Sequence, residues 1–254
     1  MKVSTSSRSA LCASTAAALL AACGGSQPPI AASGAMVQSR NIASNHTIAG
    51  DSVEAAASPY HVLYSFGGPP DAGFPEAGLI DVNDTLYGTT LQGGTYAYTC
   101  EDTTYYEFGC GTVFSITKSL TEKVLYSFRN GTDGAYPIAS LININGTLYG
   151  TTTGGGGGDC YPAYSCGTVF SITTAGSEKV LHSFDGSDGE SPSAALLDVN
   201  NHLYGTTYEG GKYSGCRTSG YQGCGTVFNI TIKGNRHLLY SFSGGTNGRI
   251  LIQT

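Results

Sequence analysis

Six cysteines fall in three pairs, Cys100 with Cys110, Cys160 with Cys166 and Cys216 with Cys224, each in a tyrosine-bearing loop just ahead of a strand-like "GTVF" run. Three chemistries use cysteines placed this way. A zinc site needs four convergent ligands, and each loop offers two cysteines and no histidine. A thiolate nucleophile needs a base beside it, and none is evident. A disulfide needs only proximity in an oxidising compartment. Six cysteines allow fifteen pairings, and one pair per unit, at separations of 10, 6 and 8 residues, selects the set within loops. Closing loops this short contributes about 2 to 3 kcal/mol each in the chain-entropy treatment.

The other chemistry-bearing residues do not converge. His182 stands where related segments have Tyr, His202 follows a hairpin turn, His61 and His237 fill a slot held elsewhere by Lys, and His46 lies in a tether. Each fills a repeat position, which points to structural roles rather than a general base or metal ligand. Asp71, Asp133 and Asp188 read as turn residues that cap backbone amides. "DGSDG" (Asp185 to Gly189) has a calcium-loop flavour, but its siblings "NGTDG" and "GPPDAG" do not keep a ligand spacing. The glycine run Gly154 to Gly158 is followed by neither Lys-Ser/Thr nor a helix, so it is no phosphate loop. No catalytic residue, metal or cofactor is therefore expected.

The elements that position these loops form a repeat. "VLYSF" at Val62 to Phe66 returns at Val124 to Phe128, Val180 to Phe184 and Leu238 to Phe242. "LYGTT" occurs at Leu86, Leu148 and Leu203, and "CGTVF" at Cys110, Cys166 and Cys224. Leu63 to Gly88, Leu125 to Gly150 and Leu181 to Gly205 span 25, 25 and 24 residues, and each "GTVF" glycine precedes the next motif's leucine by 14. Between these blocks the steps are 23, 17 and 20, so the length variation sits in the cysteine loops. Each unit carries four strand-like runs, the first two joined by Asn83-Asp84, Asn145-Gly146 or Asn200-Asn201, residues suited to a type I′ hairpin. Such units predict an all-β fold, a β-propeller-like array of four-stranded antiparallel blades. A β-sandwich or an open β-solenoid is the alternative. There are three complete units, about 67–128, 129–184 and 185–242. "HVLYSF" (His61 to Phe66) is an orphan fourth strand, and the ring is expected to be incomplete, with sheet edges open to self-association.

The N-terminus reads as an export signal. Residues 1–23 carry Lys2 and Arg8 ahead of a short apolar run, too short and alanine-rich for a spanning helix. The run closes on Leu20-Ala21-Ala22-Cys23, which resembles the bacterial lipoprotein box. That resemblance implies acylation of Cys23 and, with Gly24 next to it, sorting to the outer membrane. Residues 24–58 form a Gly, Ser, Ala, Pro and Gln tether, and 59–254 the repeat domain. Without Lys2 and Arg8, ten basic side chains face eighteen acidic ones. That balance argues against nucleic acid or anionic lipid as a partner and leaves the lipid anchor as the link to a membrane.

The set "LYGTT", Gly-Gly, "GTVF", "VLYSF" resembles the GloVer tandem repeat of bacterial surface proteins over about Pro59 to Phe242. The resemblance implies a cell-surface repeat protein with an anchor and brings no activity with it. Function then falls to the variable loops, rich in Tyr96, Tyr98, Tyr105, Tyr106, Tyr161, Tyr164, Tyr213 and Tyr221, as a surface for a glycan, a peptide or an envelope component. The competing readings are a glycan-active enzyme using Glu101, Asp102 or Glu107, and a structural or truncated repeat protein with no ligand.

Overall fold

The hairpin turns set the register. Asn83 and Asp84 hold φ values of +52° and +64°, Asn145 and Gly146 +51° and +83°, Asn200 and Asn201 +55° and +62°. Two successive left-handed residues make a type I′ turn, whose twist matches that of the flanking strands. The computed structural model describes residues 60–96, 100, 108–158, 160, 166–213, 216 and 223–244. In it these turns join β2 (Ile80–Val82) to β3 (Thr85–Thr90), β7 (Ile142–Ile144) to β8 (Thr147–Thr152), and β11 (Leu197–Val199) to β12 (His202–Thr207). The "GTVF" runs form β5 (Thr112–Thr117), β9 (Thr168–Thr173) and β13 (Thr226–Thr231), and the "VLYSF" runs form β6 (Glu122–Ser127), β10 (Glu178–Ser183) and β14 (Arg236–Ser241).

The strands pair antiparallel, in the orders β2-β3-β5-β6, β7-β8-β9-β10 and β11-β12-β13-β14, and a single parallel bridge joins Gly210 to Gly223. A fourth, two-stranded sheet pairs β1 (Ala72–Gly73) with β4 (Gln92–Gly93). Single bridges between Ala135 and Gly154 and between Glu190 and Glu209 repeat it in the other units. The protein is all-β, and no described residue is helical. Its three meanders are propeller-like blades that do not close a ring.

The sequence motifs are packing devices. Gly88, Gly150 and Gly205 of "LYGTT" lie opposite Phe114, Phe170 and Phe228 of "GTVF". A Cβ at Gly150 would sit 2.7 Å from the Phe170 ring, so glycine is required for the ring to lie flat on the neighbouring strand. The final threonine of the motif works inside the sheet. The Thr152 hydroxyl donates to the Gly154 carbonyl at 2.9 Å, accepts the Thr168 amide at 3.0 Å and meets the Thr168 hydroxyl at 2.8 Å. Thr207 and Thr226 repeat this set, and Thr90 pairs likewise with Thr112. Each outer strand has a bulge at its central leucine, Leu125, Leu181 or Leu239. The extra residue reverses the inward and outward alternation, which accounts for apolar residues at successive positions of "VLYSF".

Phenylalanines join the blades. Phe128, at the end of blade 1, stands edge-on to Phe170 of blade 2 at 5.2 Å, and Phe184 to Phe228 of blade 3 at 5.2 Å. Phe66 makes the same contact with Phe114 at 4.9 Å. The expectation of a strand at His61 to Phe66 is corrected: no residue of this segment pairs in a sheet, although its sequence matches that of β6. It packs by its side chains alone, because no "GTVF"-type strand lies beside it to receive its backbone hydrogen bonds.

Candidate binding face

In a four-stranded meander, the loop from the second strand to the third emerges at the same end as the connection between blades. All three cysteine loops therefore share an end with the blade-to-blade connectors. Disulfides join Cys100 to Cys110, Cys160 to Cys166 and Cys216 to Cys224, with Cα atoms 5.2, 5.2 and 5.1 Å apart. All six cysteines are buried. The second cysteine of the first two loops reaches into the next unit: the Cys110 carbonyl accepts the Tyr136 amide at 2.8 Å, and the Cys166 carbonyl accepts the Ser191 amide at 3.0 Å.

Those two acceptors hold a strained position. Phe74, Tyr136 and Ser191, at equivalent points just before a proline, have φ of +57°, +58° and +54°. A left-handed bulky residue is uncommon and must be held by its surroundings. Here each carbonyl also accepts an amide from beyond the second strand, at Leu91, Thr153 or Tyr208. The strained residue turns the chain inward, and Pro75, Pro137 and Pro192 then lead into small residues that line a groove.

That groove has a volume of about 650 Å³ and is walled by Glu76 to Gly78, Ile138 to Ser140 and Ser193 to Ala195, one segment from each unit, with Ser191 and Tyr208 at its rim. A second hollow of about 350 Å³ lies between units 1 and 2 beside the first disulfide, lined by Leu91, Cys100, Phe108, Tyr136 and Ile138. Glu76 borders both. Phe74 meets Phe108 edge-on at 5.9 Å, and the Arg129 guanidinium lies 5.9 Å from the Tyr96 ring centre. Of the tyrosines expected to bind, Tyr96 and Tyr213 are exposed. Tyr98, Tyr105, Tyr106, Tyr161, Tyr164 and Tyr221 lie outside the described residues, as do Cys23, Glu101, Asp102 and Glu107. Phe74, Phe108 and Tyr208 are further exposed aromatic groups on this end that the sequence reading did not single out.

A second constellation, also missed, recurs where blades meet. The Tyr126 hydroxyl donates to Asp133 at 2.8 Å, Tyr64 donates to Asp71 at 3.0 Å, and His182 Nε2 lies 2.8 Å from Asp188. The first residue of the next outer strand faces each pair. Burial and the Asp133 charge push the Glu178 carboxyl up to about 7, and burial and Asp71 push Glu122 up. In the third unit Arg236 takes this slot and stands 3.2 Å from Asp188. Burial alone would raise Asp188, but hydrogen bonds from His182 and the Asp185 amide, with the Arg236 charge, hold it below the usual carboxylate range. Where Glu becomes Arg, Tyr becomes His, and that paired change was the available signal. Two of the turn aspartates cap amides, Gly67 onto Asp71 and Asp185 onto Asp188, while Asp133 accepts from the side chains of Tyr126 and Arg129. In "DGSDG" Asp185 Oδ1 accepts the Ser187 hydroxyl and the amides of Ser187 and Asp188, so this oxygen serves the turn. Among the described residues no three His, Cys, Asp or Glu side chains are placed to hold a metal.

The model of the Gloeobacter/Verrucomicrobia repeat matches this chain over residues 52–216 and 96–253, which together span the whole blade array. The chain belongs to that repeat family. The motifs that mark the GloVer repeat are those that pack glycine under phenylalanine and threonine against threonine, so the family signature is a signature of the blade. No curated protein matches the chain. Among solved structures, the tricorn protease is similar at 8% identity, covering 64% of this chain and 12% of its own, with a TM-score of 0.37. A europium-containing methanol dehydrogenase is similar at 18% identity, covering 72% of this chain and 27% of its own, with a TM-score of 0.39. The chain thus spans a minor part of each, and likenesses this weak do not bear on function. Family and disulfides together fit an extracytoplasmic repeat protein.

Proposed function

We propose that this GloVer protein is an outer-membrane lipoprotein, anchored through acylated Cys23, whose cysteine-loop face binds a glycan or peptide of the cell envelope. The observation that supports this reading is the concentration of exposed aromatic side chains, Phe74, Tyr96, Phe108, Tyr208 and Tyr213, on the one end that also carries the groove. Rigid aromatic groups offer large amphipathic contact at low entropic cost, and a scaffold of disulfides and bulged sheets holds them in place before a ligand arrives. The same loops of the sequence also carry Tyr98, Tyr105, Tyr106, Tyr161, Tyr164 and Tyr221. The groove, walled mostly by small residues with Glu76 and Tyr208 among its lining, suits hydroxyl-rich or peptide chemistry.

The test is binding of the oxidised protein to arrays of envelope glycans and to peptidoglycan-derived peptides. Replacing Tyr96 and Phe108 with Ser, and separately Tyr161 and Tyr164 with Ser, should weaken binding at least about tenfold, a loss of about 1.4 kcal/mol, with the circular dichroism unchanged. Unaltered binding in both variants would refute a role for the loop face. For the anchor, mass spectrometry of the membrane fraction should find a diacylated N-terminal Cys23, and an unmodified cysteine would refute it.

A further inference from the structure

The two ends of the blade array are unlike. Inside it, each blade covers the face of the one before: Val82 and Ile144, equivalent inner-strand positions, are buried. The same position in blade 3, Val199, is 44% exposed, and beside it Leu197 is 63%, Leu239 48% and Tyr240 47% exposed. Phe242 meets its own Tyr240 at 4.9 Å, while Phe128 and Phe184 each also meet a phenylalanine of the following blade. The other end is covered, but by the arm Tyr60 to Phe66. Phe66 takes the place of a preceding blade's phenylalanine against Phe114, and Tyr64 that of its tyrosine against Asp71.

The arm is a weak cover. None of its residues pairs in a sheet, and Tyr60 and Val62 are exposed. A gap of about 220 Å³ lies between it and blade 1, its apolar wall made by Leu63, Leu86, Ile116 and Leu120 and its polar edge by Asp81, Asp84, Thr117 and Lys118. Between true blades the contact is tighter: a Cβ at Gly176 would stand 2.6 Å from the Leu125 carbonyl, and one at Gly234 3.0 Å from that of Leu181. Leu120 fills the corresponding turn position in blade 1, with φ of +58°, so blade 1 offers a leucine where later blades offer glycine.

We propose that two copies of this chain join head to tail, the "LLYSF" face of one displacing the matching "VLYSF" arm of the other. Phe242 then replaces Phe66 of the second copy against its Phe114, Tyr240 replaces Tyr64 against its Asp71 and Glu122, and Leu239 fills the gap beside Leu120. The occupant is a second copy because the displaced and displacing segments carry the same side chains at the same spacing, and because the contact continues the one already repeated between blades. A head-to-tail contact either closes or polymerises. The three described blades of two copies make six, within the four to eight at which propellers close. Closure also doubles the segments around the groove from three to six, so the dimer would complete the binding face proposed above, although the association itself does not depend on any ligand.

Light scattering after size exclusion of the full oxidised chain at about 50 μM should give the mass of a dimer. Leu239→Asp lies on a face exposed in the single chain, so it should leave the circular dichroism intact while weakening the dimer at least about tenfold. Leu63→Asp, in the arm, should strengthen it by loosening the competitor. A monomeric parent, an open polymer growing with concentration, or a dimer indifferent to Leu239→Asp would overturn the proposal. Should Leu239→Asp fail to fold, Leu63→Asp decides: a weakened dimer there also overturns it.

Discussion

Gly150→Ala tests the packing that defines the blade. The added methyl would lie 2.7 Å from Phe170 Cζ, 2.8 Å from Leu141 Cδ2 and 2.9 Å from Phe170 Cε1. Carbon atoms rest at about 3.5 to 4.0 Å, so the shortfall is about 0.7 Å or more on two sides. Neither neighbour can retreat into solvent, since Leu141 and Phe170 are both fully buried and Phe170 is held edge-on by Phe128 at 5.2 Å. Overpacking of this kind costs about 1 to 3 kcal/mol. The stiffer unfolded chain returns about 0.4 to 1 kcal/mol, leaving a net loss of about 1 kcal/mol. Urea unfolding of the oxidised protein measures it. The decisive measurement is the cycle with Phe170→Leu, which alone costs about 1 to 2 kcal/mol by leaving a cavity. If ring and methyl contend for one space, the double variant loses at least about 1 kcal/mol less than the sum of the single losses. Additivity within about 0.5 kcal/mol would refute the contact as the reason for the glycine.

Glu178 carries a pH prediction. Raised to about 7 in the fold from about 4.3 in the unfolded chain, it contributes stability that is full below the lower value and lost as pH rises through the higher. Glu178→Gln should therefore gain on the parent between about pH 5 and pH 8, by about 1 kcal/mol once solvent screening of this half-exposed group is allowed for; parallel stability curves would refute the burial argument. Thr152→Val leaves the Thr168 amide and the Thr168 hydroxyl without their buried partner and should cost about 1 to 3 kcal/mol in thermal unfolding, whereas an unchanged midpoint would remove the threonine pair from the fold's energetics. Reducing the three disulfides should lower stability by about 2 to 3 kcal/mol for each loop released, read as a reductant-dependent shift of the urea midpoint, and insensitivity to reductant would show that the loops contribute nothing to the fold.

Much of the fold could be read from the chain because its determinants are local. Asn145-Gly146 and its siblings tolerate left-handed φ at little cost, and such a pair between two strand-like runs favours a hairpin without help from distant residues. The length variation confined to the cysteine loops likewise marked which segments are frame and which are insertion. The bulge was less legible, since "VLYSF" shows apolar residues on both alternations but not that Leu125 is the extra one.

What the tertiary structure decided is where one element needs another. His61 to Phe66 carries the same motif as β6, yet no sheet receives it, because a strand is made by its neighbour's hydrogen bonds and not by its own residues. Asp133 read as a turn cap, and its partners Tyr126 and Glu178 stand 7 residues before it and 45 after it, brought together only by blade stacking. The groove is walled mostly by alanine, serine and glycine, residue types with no chemical signature, and only the convergence of three units onto one space makes them a surface with Glu76, Ile138 and Tyr208. By itself the sequence determined the blade, because short-range turn geometry and repeated pairing encode it; the junctions, the groove and the open face of blade 3 came from the packing of one blade on the next, which no single repeat contains.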